Sequence, residues 1–115
     1  MLLGAEAYVT TRPQNVVVLR GQDAILNCST NLTSSRGNNP IAWKHDSNIA
    51  TYSPCSSQDP RLVAFPRDSA TDCNLRALGS KGHDISGAYK CEDEFKASSH
   101  AVAYVVVLGE WSLIH

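Results

Sequence analysis

Four cysteines, Cys28, Cys55, Cys73 and Cys91, carry the chemistry that most constrains this 115-residue chain. Thiols bind metal, exchange electrons or crosslink the chain. Zinc ribbons and redox motifs need two cysteines a few positions apart, so that both sulfurs reach one ion or each other. No Cys-x-x-Cys pair is present. An even number of cysteines without that spacing favours two disulfides and an oxidising, extracellular compartment. Four cysteines allow three pairings. Two sequons, Asn27-Cys28-Ser29 and Asn31-Leu32-Thr33, agree with that compartment and make Asn27 and Asn31 the candidate glycan acceptors.

The other reactive residues do not gather. His45, His83, His100 and His115 are scattered, and none stands at metal-ligand spacing with another histidine or a cysteine, so no metal and no cofactor is expected. Serine and aspartate are abundant, but a nucleophile needs a base and an orienting group fixed around a strained turn. No such turn is visible, no catalytic residue is assigned, and the chain is not expected to be an enzyme. Ser35-Arg36-Gly37-Asn38 is similar to an integrin-type Arg-Gly-Asp loop, but asparagine stands where a carboxylate must coordinate metal. Ten Lys plus Arg against eleven Asp plus Glu give a net charge of −1. With no block of like charge, neither nucleic acid nor an anionic membrane is the expected partner. No apolar run approaches the ~20 residues that cross a bilayer, so direct membrane insertion by this segment is not expected.

The elements that must position these residues read as strands. Val16-Val17-Val18-Leu19 is β-branched and ends at a turn cluster, Arg20-Gly21-Gln22-Asp23. Ala24, Leu26 and Cys28 then alternate with Asp23, Ile25 and Asn27, which puts the first three on one face. Pro13 interrupts the 8–12 segment, as at a sheet edge. Residues 29–40 are polar and read as a long exposed loop. Strands are expected over 41–45, 48–52, 61–65, 73–78, 87–92 and 100–108, with loop at 53–60 and a polar hairpin at 93–99. Ile41, Trp43 and His45 share one side. Short strands punctuated by turns indicate a sandwich or barrel. The length is that of one domain, expected over 8–108. Residues 1–7 read as an expression or signal-peptide remnant, and 109–115 as a C-terminal tail or the start of a linker.

The segment Asp84-Ile85-Ser86-Gly87-Ala88-Tyr89-Lys90-Cys91 resembles the Asp-x-Gly-x-Tyr-x-Cys signature of immunoglobulin-superfamily domains. Leu26-x-Cys28, followed by Trp43, resembles its upstream half. The resemblance implies an all-β, immunoglobulin-like two-sheet β-sandwich in which a Cys28–Cys91 disulfide joins the sheets. Trp43 packs on that disulfide, and Tyr89 anchors a strand corner through its hydroxyl, with Gly87 relieving crowding beside it. Trp43, Tyr89, Gly87 and Asp84 are thus the core signature. With Cys28 and Cys91 assigned by their family positions, Cys55 and Cys73 form the second pair. One departure stands out: Asp84 lies seven residues before Cys91, where the family spacing is six, and Leu75 and Ala77, read as inward-facing, are displaced equally. A one-residue insertion between Asp84 and Gly87 accounts for both shifts. It unsettles the family's buried Asp–Arg pairing, here Asp84 with Arg61. The 63 positions between Cys28 and Cys91 leave room for the C′ and C″ strands of a V-type domain. The last strand lacks the Phe-Gly-x-Gly bulge of joining segments. This is similar to a V-set domain of a non-rearranging receptor, cell-surface or secreted, with an invertebrate one among the candidates.

If Trp43, Tyr89 and Cys91 point inward, alternation sends Ala42, Lys44, Ala88, Lys90 and Glu92 outward. The resemblance puts Val105 and Val107 in the core, which turns Val102, Tyr104 and Val106 out; a slip of one residue would expose Val105 and Val107 instead. The expected partner-binding face is therefore Ala42, Lys44, Tyr52, Lys90, Glu92, Val102, Tyr104 and Val106, apolar at its centre with a charged rim. Recognition or adhesion through this GFCC′ face is the expected function. The partner is a protein, with an identical copy among the candidates, because Lys44, Lys90 and Glu92 can complement themselves across a two-fold axis. Two alternatives stand beside it: a secreted immune-recognition domain that reads microbial or carbohydrate ligands with the 29–40 and 93–99 loops, and a structural spacer.

Overall fold

β-branched and apolar residues in short runs, broken by Gly, Pro, Asn and Asp, form twelve strands among the residues that the computed structural model describes, 9–31, 38–94 and 96–109. The expected N-terminal remnant, the tail beyond 109 and the middle of the 29–40 loop, including Leu32 and Thr33 of the second sequon, lie outside the described residues. In chain order the strands are β1 (Val9–Thr11), β2 (Val16–Leu19), β3 (Ala24–Leu26), β4 (Ser29–Thr30), β5 (Ile41–His45) and β6 (Asn48–Ile49). There follow β7 (Thr51–Tyr52), β8 (Ser56–Ser57), β9 (Leu62–Phe65), β10 (Asn74–Ala77), β11 (Gly87–Asp93) and β12 (Lys96–Leu108). One 3-10 turn, Gly79–Lys81, separates β10 from β11.

The strands make two layers. One is a five-stranded sheet in the order β2-β12-β11-β5-β6, the other a three-stranded sheet, β3-β10-β9. Short pairs β1–β4 and β7–β8 lie outside these two. Every pairing is antiparallel except β12 with β2, which is parallel. Between the layers lies a core that includes Leu26, Ile41, Trp43, Leu75, Ile85, Tyr89 and Val105, all buried. The Cys28–Cys91 disulfide bridges the layers with Cα atoms 6.5 Å apart, and Cys55–Cys73, at 5.5 Å, fastens the β7–β8 region to the start of β10.

Several expected boundaries move, each for a local reason. The 48–52 strand is two strands, because Ala50 leaves the ladder and buries its side chain; its N–H donates to the Trp43 carbonyl at 2.9 Å. The 53–60 loop contains β8. The 29–40 loop begins in strand β4, and its far end is anchored rather than exposed. Asn39 and Pro40 are buried, and the Asn39 side chain donates to the carbonyls of Ser69 and Asp72 and accepts from the Ile41 N–H. The 93–99 hairpin is shorter than expected, since β11 and β12 run on through Asp93 and from Lys96. Pro13, which is buried, stands where the first strand crosses from β1, paired with β4, to β2, in the five-stranded sheet. A proline fits there because a crossing residue has no ladder partner for an N–H.

Candidate functional site: the outer face of the five-stranded sheet

The signature residues set the inward register of β5 and β11. Trp43 is opposite Cys91 in the ladder, is buried, and donates from Nε1 to the Cys73 carbonyl at 2.8 Å. The indole thus touches both halves of the crosslinked core. Tyr89 is equally buried, and its hydroxyl donates to the Ile85 carbonyl at 2.6 Å, tying the corner that precedes β11. Burial pushes that hydroxyl's pKa well above the ordinary tyrosine value. Gly87 sits at φ +129°, and a Cβ there would run into the Asp46 carboxylate, which accepts from the Ala88 N–H at 2.9 Å. A side chain at 87 would therefore face both backbone strain and loss of that bond. Asp46 and Ser47 carry φ of 49° and 73° in the two-residue turn joining β5 to β6, the signs that a type I′ turn requires.

Asp84 departs from the core role expected of it: it is exposed, and its carboxylate accepts from the N–H and hydroxyl of Ser86 at 3.1 and 2.7 Å. Arg61 instead forms a forked pair with Asp59, Nη2 to Oδ2 at 2.8 Å and Nε to Oδ1 at 3.1 Å, and reaches Asp84 only at its carbonyl, 3.4 Å away. The guanidinium is thus paired with a carboxylate two residues before it, Asp59, and not with the side chain of Asp84. Behind this pair His45, buried, stacks on Tyr89 with ring centroids 4.1 Å apart. Its Nε2 lies 2.8 Å from the Ser86 carbonyl and its Nδ1 3.2 Å from Arg61 Nη2, so the geometry fits the tautomer protonated at Nε2.

The hydrogen bond from Arg61 holds the Asp59 carboxyl below its ordinary 3.8, and those from Ser86 and Ser80 do the same for Asp84 and Asp23. Depressed carboxyl values contribute stability above the unfolded pKa, and that contribution disappears as pH falls through the folded values. The urea midpoint is expected to be nearly flat from about pH 7 to about 5 and to drop below about pH 4. Asp59→Asn should remove part of that drop. An unchanged acid limb in the variant would show that the Asp59–Arg61 pair does not set it.

On the outer side, alternation along β12 leaves Val102, Tyr104, Val106 and Leu108 exposed while Ala101, Ala103 and Val105 are buried. Cross-strand register aligns Val102 with Lys90 and Lys44, and Ala88 with Tyr104. Ala42 and Glu92 also point to this side, but they are not exposed as expected: both are buried, Glu92 at 6%. Lys90 Nζ stands 3.2 Å from Glu92 Oε1 and Lys44 Nζ 3.7 Å from Oε2. The two lysine stems close over the carboxylate, so Glu92 lies beneath the face instead of forming its rim. Oε1 has no aligned hydrogen-bond donor, so the contact with Lys90 is electrostatic. Tyr52 is exposed but belongs to the separate β7–β8 pair, outside the five-stranded ladder.

Other residues on the face carry no signal in their own segments. The parallel register puts Val17 beside Val106 and Leu19 beside Leu108. Val17 is the most exposed of the large apolar residues among the described residues, at 64%, and Leu19 is exposed as well. Ile49, opposite Lys44 on β6, adds an exposed apolar residue at the other margin. Only the pairing of β2 with β12 could have revealed the first two. Asn27 and Asn31 are exposed; Asn27 directly follows β3, in the opposite sheet. Among the described residues no group of His, Cys, Asp and Glu could hold a metal ion, and no helix is long and apolar enough to cross a membrane.

The chain matches no family model and no curated protein. Among solved structures it is similar to the Ig1 domain of mouse SynCAM 2, with a TM-score of 0.63 and 25% identity over 84% of this chain and 93% of that one. The chain has an immunoglobulin fold. This immunoglobulin domain is also similar to DIP-gamma IG1+IG2, at a TM-score of 0.70 and 19% identity over 93% of its own length and 51% of the other's. It thus spans about half of that chain. The structure of Dpr1 IG1 bound to DIP-eta IG1 superposes at a TM-score of 0.65 with 16% identity, over 87% of this domain and 93% of that chain. In that complex one immunoglobulin domain binds another. Two disulfides in the present domain fit an extracellular setting.

Proposed function

We propose that this is a V-type immunoglobulin recognition domain of a cell-surface or secreted receptor, and that it binds a protein partner through the outer face of its five-stranded sheet. The observation that carries the reading is the contiguous apolar strip of Val17, Leu19, Val102, Tyr104, Val106 and Leu108, exposed beside Lys44 and Lys90. Such a patch with a polar margin has the form of a protein interface. The V-type assignment is supported by β6 on the edge beyond β5, and by the β7–β8 pair before β9. A glycan on Asn27, which follows β3 of the opposite sheet, would leave this face open. That Dpr1 IG1 is bound to DIP-eta IG1 supports a protein as the class of partner.

The test is a screen of the Fc-fused domain against displayed extracellular proteins, followed by paired variants. Tyr104→Arg is expected to weaken partner binding by on the order of 30-fold or more, as loss of a central aromatic anchor does. Ile25→Arg, at an exposed position on the opposite sheet, should leave binding unchanged. The opposite pattern would move the interface off this face.

A further inference from the structure

The outer face carries a projection and a recess side by side. Tyr104 is 52% exposed, and its backbone is held from behind by the Asn15 side chain, which accepts from the Tyr104 N–H at 2.9 Å. Its ladder partner is Ala88, whose small side chain floors an open depression of about 500 Å³ bounded by Lys44, Asp46, Ser47, Lys90 and Val102. The ring does not line this recess. A projection next to a recess on one surface is the condition for an isologous contact: a two-fold axis lying in the interface and passing between them carries each projection into the other recess.

We infer that this domain pairs with a second copy of itself through this face, the Tyr104 ring of each copy entering the Ala88-floored depression of the other. The inference rests on the face reading above and names its partner. Charge favours it: Lys44 and Lys90 are balanced on the same face by Glu92 and Asp46, so two copies meet without net repulsion. The recess offers the entering ring what a tyrosine uses. Ammonium groups of Lys44 and Lys90 can lie against its π face, and the half-exposed Asp46 carboxylate can accept from its hydroxyl. The same axis brings the two margins together, opposing exposed Val17 on β2 to exposed Ile49 on β6.

Sedimentation velocity over a concentration series tests this on the domain itself. The wild-type domain is expected to show a monomer–dimer equilibrium. Tyr104→Ala, which removes the projection, and Ala88→Phe, which fills the recess, should each weaken it by on the order of 30-fold or more. The two variants mixed should then associate with each other, because the first keeps an open recess and the second keeps its tyrosine. Circular dichroism and melting confirm that each variant is folded. Should Ala88→Phe fail to fold, disulfide trapping replaces it: Tyr104→Cys mixed with Ser47→Cys should yield a crosslinked heterodimer that neither gives alone. A wild-type domain that stays monomeric at several hundred micromolar overturns the inference, as does a dimer indifferent to both variants. If the domain is monomeric but Tyr104→Arg still abolishes capture of a different protein, self-pairing is wrong and the face reading survives. If Tyr104→Arg affects neither, both fall.

Discussion

Replacing Cys28 and Cys91 by alanine is expected to leave the domain largely unfolded at 37 °C. The crosslink spans 63 positions, and on the chain-entropy model closing a loop of that length restrains the unfolded chain by about 4 kcal/mol. A domain of this size has roughly 5–15 kcal/mol in all. The second bridge, Cys55–Cys73, closes only 18 positions and is worth about 3 kcal/mol on the same model. It fastens a margin of the sandwich and not its two layers. Cys55→Ala/Cys73→Ala is therefore expected to lower the urea midpoint while leaving a cooperative transition. A Cys28→Ala/Cys91→Ala protein with a wild-type midpoint would show that packing alone holds the sheets together.

Trp43→Ala is expected to be comparably damaging, through a different mechanism. The side chain has no solvent exposure, and truncating a buried aromatic typically costs about 3–5 kcal/mol in lost contacts and cavity. Its Nε1–H is also the donor to the Cys73 carbonyl, so truncation removes a hydrogen-bond partner inside the core. Trp43→Phe separates the two effects. It keeps much of the bulk and loses the donor, and should cost about 1–3 kcal/mol. Equal losses in the two variants, read from urea unfolding by circular dichroism, would mean that the hydrogen bond dominates over the volume.

The fold class was legible because its determinants are short-range and periodic. Alternation in Ala24, Leu26 and Cys28, and again in Ile41, Trp43 and His45, describes strands with one buried side, and all six are buried. Depth within a face was not legible. Parity sends Ala42 and Glu92 to the outer side of β5 and β11, but whether neighbouring lysine stems lie over them depends on cross-strand rotamers that no single-strand pattern contains. Partner choice was equally hidden. Asp59 and Asp84 are both aspartates near a corner, and only the folded path of the chain decides which side chain meets Arg61. Val17 and Leu19 sit in a segment that reads as an ordinary strand. Their place beside Val106 and Leu108 is a property of a parallel pairing between the beginning and the end of the domain.

That parallel pairing also governs how the domain answers tension. The chain enters β2 at one end of the pair and leaves β12 at the other, while Arg20 adds a further bond to the Leu108 carbonyl at 2.9 Å. A pull applied between the two termini therefore slides the strands along each other and loads their hydrogen bonds together. An antiparallel hairpin pulled at its open end yields one bond at a time. Past that latch, residues 29–90 are bypassed by the Cys28–Cys91 bond and cannot lengthen. Under load the domain should give way in one abrupt event and then extend only by its unbridged ends.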